Sequence, residues 1–143
     1  MFRRVPVYWQ KDDHDYRYND CDNTRPDKLP TVADGLYVFK EQVPVVPFEN
    51  FAAPTYRTRR VGKHLQVWFV EGRDHRSPNK DDDDVLKTLW GAEQLAWLKE
   101  TLLTSDATYK ILVSPTPIVG PDRSGKKDNH SNSNWAYEGN RVR

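Results

Sequence analysis

Four bulky apolar residues in a row, Val67-Trp68-Phe69-Val70, constrain this chain more than any other feature. The run lacks alternation, which is the pattern of a strand covered on both faces rather than of a sheet with one wet side. Such a strand needs packed layers above and below it, so the chain is expected to be a mixed α/β protein. At 143 residues there is room for about one domain. Five Trp, seven Tyr and five Phe exclude a disordered tail, while 36% hydrophobic and 30% charged residues limit the core to a small one.

Periodicity divides the remainder. Val5 to Trp9 is a short apolar run ending at charge, read as a strand that delivers the loop Lys11 to Pro30. Thr31 can cap a helix to about Gln42, with Leu36, Phe39 and Val43 on one face. Thr55 to Val61 and His64 to Glu71 flank Gly62-Lys63, a hairpin signal with a two-residue turn. Gly72 to Lys87 reads as a loop, Gly91 to Ser105 as a helix with a Leu95, Leu98, Leu102 stripe, and Tyr109 to Ser114 as a further strand. From Pro115 the text is polar and no closing element is expected. Three or four strands and two helices cannot cover both faces of a buried sheet, so some apolar surface is expected to lack a partner.

Several function classes drop out on charge and cysteine content. Lys plus Arg is 22 and Asp plus Glu is 21, so a net charge of +1 gives no general attraction to nucleic acid or to an anionic membrane. Arg57, Arg59 and Arg60 beside Tyr56 offer only a weak RNA-binding alternative, because residues along one strand alternate faces. The single cysteine, Cys21, excludes an internal disulfide, a zinc ribbon and a redox dithiol, and it reads as a small packed residue. No apolar run approaches the roughly 18 residues of a membrane span, and no export signal is visible.

The densest polar signal is "DDHDYRYND", Asp12 to Asp20. Carboxylates with one imidazole, on a loop after an apolar run, are what a site for hard or borderline cations requires. The alternative is an acidic surface loop rich in Asx turns. Asp81 to Asp84 lacks the Gly turn and closing Glu of a calcium loop and reads as solvated.

This segment resembles the metal-binding motif of PhoD-like alkaline phosphatases, which are calcineurin-like metallophosphoesterases. "YRTRRVGKHLQVWFVEGRDHRSPN", "LWGAEQLAWLKETLLTSDATYKILVSPTPIVGPD" and "KKDNH" follow in that family's order and spacing. The resemblance implies an αββα sandwich around a mixed sheet, of which this chain would form part. It also implies a metal-dependent phosphohydrolase acting on small phosphate esters through two divalent or trivalent ions, calcium and iron among them. By the same resemblance Asp12 would bridge the metals and Asn19 would ligate the second, with Asp13 able to exchange roles with Asp12. His14 would bind a phosphate oxygen or protonate the leaving alkoxide, and Arg73 would contact substrate. Arg76 is expected in a structural salt bridge, and Lys126, Lys127, Asn129 and His130 on either a substrate-side loop or a plain polar one. Family members are often exported, so kinship implies a periplasmic or secreted protein.

The sequence departs from the family pattern in places. Gln10-Lys11 stands where a Trp is common, and Glu71-Gly72 where Asp-Thr is. The upstream "Gly-Asp" and downstream "Gly-Asp-x-His" segments do not occur among the 143 residues. The expectation is therefore an internal portion of a larger phosphatase with little turnover alone. Its rival is a non-catalytic interaction module that uses exposed Trp68 or Trp97 surface and self-associates through uncovered apolar area.

Overall fold

The computed structural model describes residues 4–120 and 127–143. Its elements are α1 (Val32–Gln42), β1 (Arg57–Val61), β2 (Leu65–Phe69), α2 (Ala92–Thr104), β3 (Tyr109–Val113) and α3 (Ala136–Val142), with single 3-10 turns at Phe48–Asn50 and Ser133–Trp135. The strands form one mixed sheet in the order β1-β2-β3. β1 and β2 are antiparallel, with Val61 opposite Leu65 and Arg57 opposite Phe69; β2 and β3 are parallel, with Leu65 beside Tyr109 and Phe69 beside Val113. The mixed α/β expectation holds, in a sheet of three strands.

Local chemistry explains the elements. Thr31 Oγ1 accepts the Asp34 backbone N–H and Val43 closes the helix through the Phe39 carbonyl, so α1 matches its capping signal. Gly62, at φ +69°, turns the hairpin. The connection spans three residues between ladder partners, one more than the Gly62-Lys63 signal implies, and β2 stops at Phe69. α2 lies over the central strand: Trp68 Nε1 donates to Thr101 Oγ1 at 2.8 Å, and Leu98 joins Trp68, Val70, Leu89, Trp90 and Trp135 in the main core.

Trp68 is 0% exposed and cannot serve a partner, which corrects the expectation of a docking surface there. Trp97 is half-buried against Tyr56, ring centroids 4.8 Å apart. The expected strand Val5–Trp9 forms no ladder. It crosses beside the sheet, Tyr8 stacking on Phe69 at 5.5 Å, and Gln10 Nε2 takes the ends of the parallel pair, donating to Val70 O at 2.6 Å and Val113 O at 2.9 Å. A side chain thus satisfies strand-end carbonyls where a backbone ladder was expected. Uncovered apolar surface is present, as expected, on edge strand β3, where Tyr109, Ile111 and Leu112 are exposed. No helix among the described residues is long and apolar enough to cross a membrane.

A closing element does exist, which overturns the reading of the polar end as loop. The Trp135 side chain fills the core, and Glu138 on α3 accepts the backbone N–H groups of Leu89 and Trp90 and the Thr88 hydroxyl. A seven-residue helix has little stability of its own; these tertiary contacts hold it.

Candidate metal centre

The loop 11–20 is shaped by its own polar groups. Arg17 and Tyr16 N–H return to the Asp13 carbonyl at 2.8 and 3.3 Å, closing a turn. Asp13 Oδ1 accepts the His14 N–H at 2.8 Å and Oδ2 accepts the Asp20 N–H at 2.7 Å. Asp20 sits at φ +55°, a conformation Asp tolerates better than most residues, and this turns the chain back on Asp13. Tyr16 and Cys21 anchor the loop in a second core with Phe39 and Val45, so Cys21 is packed as expected. Arg17 fixes the following segment by donating to the carbonyls of Pro30, Arg25 and Lys28.

This loop meets two others at the carboxyl ends of β2 and β3, where α/β sheets commonly bind ligands. Between them lies a cavity of about 560 Å³, whose lining includes Asp12, Asp13, His14, Asn19, Arg73 and Asp128. The five sequence-predicted site residues, Asp12, Asp13, His14, Asn19 and Arg73, therefore share one cavity although they come from separate stretches. His14 Nε2 and Asn19 Oδ1 lie 3.1 Å apart at its exposed side.

Arg73 is the hub. Its guanidinium is 1% exposed, with Nε donating to Asp12 Oδ1 at 2.6 Å and Nη2 to Asp128 Oδ2 at 2.8 Å; Asp13 Oδ2 is 3.6 Å from Nη2. Burial works against its charge, but the hydrogen bond and charge of Asp12, with Asp13 and Asp128 behind, more than reverse this. Burial likewise pushes Asp13 up, yet the Asp20 N–H, the Arg73 charge and the His14 N–H together hold it below the usual carboxylate range.

Oxygens of Asp13, Asp20 and Asp128 lie within 4.8 Å of one another and could hold a metal ion. An all-oxygen donor set suits hard cations. Asp20 and Asp128 are not among the site residues that the sequence reading assigns. Asp128 stands in the quoted "KKDNH" block, and Asp20 closes the acidic motif, so both carried a signal.

The remaining expectations divide. Asn129 lines the cavity, Lys127 is exposed and Lys126 lies outside the described residues. His130 turns inward instead, its ring 4.8 Å from that of Trp90 and its Nε2 3.4 Å from Glu138 Oε2. Arg76 is structural but is held by neutral oxygens: it donates to Gly72 O, Asn79 Oδ1 and Asp128 O. Burial, with the charge of Arg73, pushes it down to about 10. The run Asp81 to Asp84 is exposed, though Asp84 accepts the N–H groups of Leu86 and Lys87, and Asp83 caps Tyr137.

Comparison with known proteins agrees with this geometry. No curated protein gives a significant match. A solved structure described as "Structure of PhoD" superposes with a TM-score of 0.67 at 20% sequence identity, over 92% of this chain and 30% of that one. The likeness is one of fold, and the chain spans about 30% of the solved chain's length. The family model for PhoD-like phosphatases matches residues 1–143. A match over every residue, on a fold shared with PhoD and with the quoted motifs gathered at one cavity, makes this chain a member of the PhoD-like phosphatase family.

Proposed function

We propose that the cavity at the strand ends is part of a metal-dependent phosphohydrolase centre that cleaves small phosphate esters, within an αββα sandwich to which these residues contribute one portion. The observation that carries this reading is the convergence of Asp13, Asp20 and Asp128 within 4.8 Å beside the buried Arg73. The three carboxylates would hold one cation, and Asp12 and Asn19 on the same wall would supply donors toward a second. When bound, such ions polarise phosphoryl oxygens and lower the pKa of a bound water. The chain's own contributions are positional and electrostatic. Arg73 balances the carboxylates, its buried guanidinium bonded to Asp12 and Asp128 at the cavity wall. His14, exposed at the rim, can hold a proton near a leaving alkoxide, and its contact with Asn19 orients the ring.

Turnover by these 143 residues alone is expected to be low, since the "Gly-Asp" and "Gly-Asp-x-His" segments do not occur in them. Hydrolysis of p-nitrophenyl phosphate should be assayed with calcium, iron, manganese or zinc, in this chain and in a longer protein carrying both segments. The expected result is activity in the longer protein that Asp13→Asn removes. Activity there that survives both Asp13→Asn and Asp128→Asn contradicts the reading. The exposed apolar edge of β3 favours a second reading, an interaction module, for which metal-independent self-association in sedimentation would be the sign.

A further inference from the structure

Next in sequence to the cavity residues Asp12 and Arg73 lies a buried ionic cluster that the proposed chemistry does not use. Lys11 Nζ, with its side chain 0% exposed, donates to Glu71 Oε1 and to Asp74 Oδ1, each at 2.8 Å, and sits 3.9 Å from the centre of the Tyr16 ring. Glu71 is clamped from every side. Its Oε1 also accepts the Arg73 N–H and its Oε2 the Asp74 N–H, both at 2.7 Å. Its backbone N–H and carbonyl pair with the Gln94 side chain of α2 at 2.7 and 2.8 Å.

The connectivity matters more than the count of contacts. Lys11 immediately precedes Asp12, and Glu71 lies two residues before Arg73. The Lys11–Glu71 contact thus ties the two loops whose side chains meet as Asp12 and Arg73. Gln94 fixes the Glu71 backbone to a helix, so the pair is referenced to the sheet-helix framework. A buried ion pair is seldom a net source of stability, since desolvation offsets its attraction, whereas it does fix geometry. Burial opposes the charge of all three groups. Lys11 nevertheless stays charged, the attraction of both carboxylates more than reversing the loss, and its own charge holds Glu71 below the usual range, while burial and the Glu71 charge drive Asp74 upward.

We propose that Lys11 and Glu71 are positioning residues, a buried pair that sets the Asp12–Arg73 contact and with it the geometry of the carboxylates around the cavity. This rests on the cavity being the metal-dependent centre, but its first readout needs no metal. In the 15N-labelled chain the Arg73 Nε–H, bonded to Asp12, should exchange slowly with water. Glu71→Gln keeps the shape and leaves an amide oxygen for the Arg73 N–H; Lys11→Met removes the cation from the same volume. Both are expected to speed Arg73 Nε–H exchange at least tenfold while the Arg17 Nε–H, bonded to Pro30 O elsewhere, keeps its rate. Manganese(II) affinity, read by calorimetry, should fall at least tenfold in the same variants.

If Lys11→Met does not fold, Glu71→Gln and Asp74→Asn carry the test. A folded variant whose Arg73 Nε–H exchange stays within twofold of the parent overturns the proposal. A parent that binds no manganese, with Arg73 exchange still responding to Glu71→Gln, refutes the metal reading and supports the positioning one.

Discussion

Replacing Arg73 with Met would leave Asp12, Asp13 and Asp128 facing one another without their shared cation. The side-chain volume is roughly kept, so the effect is electrostatic. Removing one partner of a buried ion pair costs about 3–5 kcal/mol. The lower end applies here, because Asp12 is 34% exposed and water screens its share, leaving Asp13 and Asp128 as the costly groups. About 3 kcal/mol is a large fraction of the stability of a domain this size and corresponds to a melting temperature lower by roughly 6–12 °C. The pH dependence follows from Asp13. Its pKa is depressed in the fold, so its stabilising contribution is present above the unfolded carboxylate value and is lost as pH falls through the folded one. Arg73 is one cause of that depression, so the deficit of Arg73→Met should be greatest near neutrality and narrow below about pH 4. Thermal unfolding followed by circular dichroism with chelator present, for parent and variant across pH, measures this. A variant within about 1 kcal/mol of the parent at neutral pH, or a deficit that grows in acid, would refute the reasoning.

Three further outcomes follow from packing. Trp135→Ala should destabilise the chain by about 3–5 kcal/mol in urea unfolding, since it empties a fully buried indole site and removes the 2.7 Å hydrogen bond from the ring nitrogen to the Lys127 carbonyl. Gly35→Ala would set a Cβ against the Tyr16 carbonyl oxygen, so it should force α1 away from the acidic loop and lower the melting temperature; an unchanged value would contradict that packing. Cys21 is wholly buried and burial pushes its thiol up, so alkylation by iodoacetamide at neutral pH should be slow in the native chain and fast in urea.

The elements legible in the sequence are those whose signals are local. Thr31 before an apolar periodic stretch, Gly62 between β-rich runs and the unalternated Val67–Val70 run each report a backbone event within a few residues, and α1, the hairpin and the central strand appear where they point. What escaped depends on contacts far apart in the chain. α3 is short and rich in polar residues, and its reason for existing is the fit of Trp135 and Glu138 against the Thr88–Trp90 turn. Val5–Trp9 has the composition of a strand, but its contacts are made by side chains: Tyr8 stacks on Phe69 and Gln10 bonds the carbonyls of Val70 and Val113. At the cavity, the acidic motif announces carboxylates but not their directions. The positive φ of Asp20 decides how that residue faces Asp13, and Asp128 is held beside them by Arg73 and Arg76 from a distant loop.

Calorimetric titration of manganese(II) into the chain decides whether Asp13, Asp20 and Asp128 hold a metal ion. Saturable binding is expected in the parent, at least tenfold weaker in Asp128→Asn and in Asp13→Asn, each variant remaining folded. Binding of equal strength in parent and both variants would contradict it, as would a folded parent that takes up no metal.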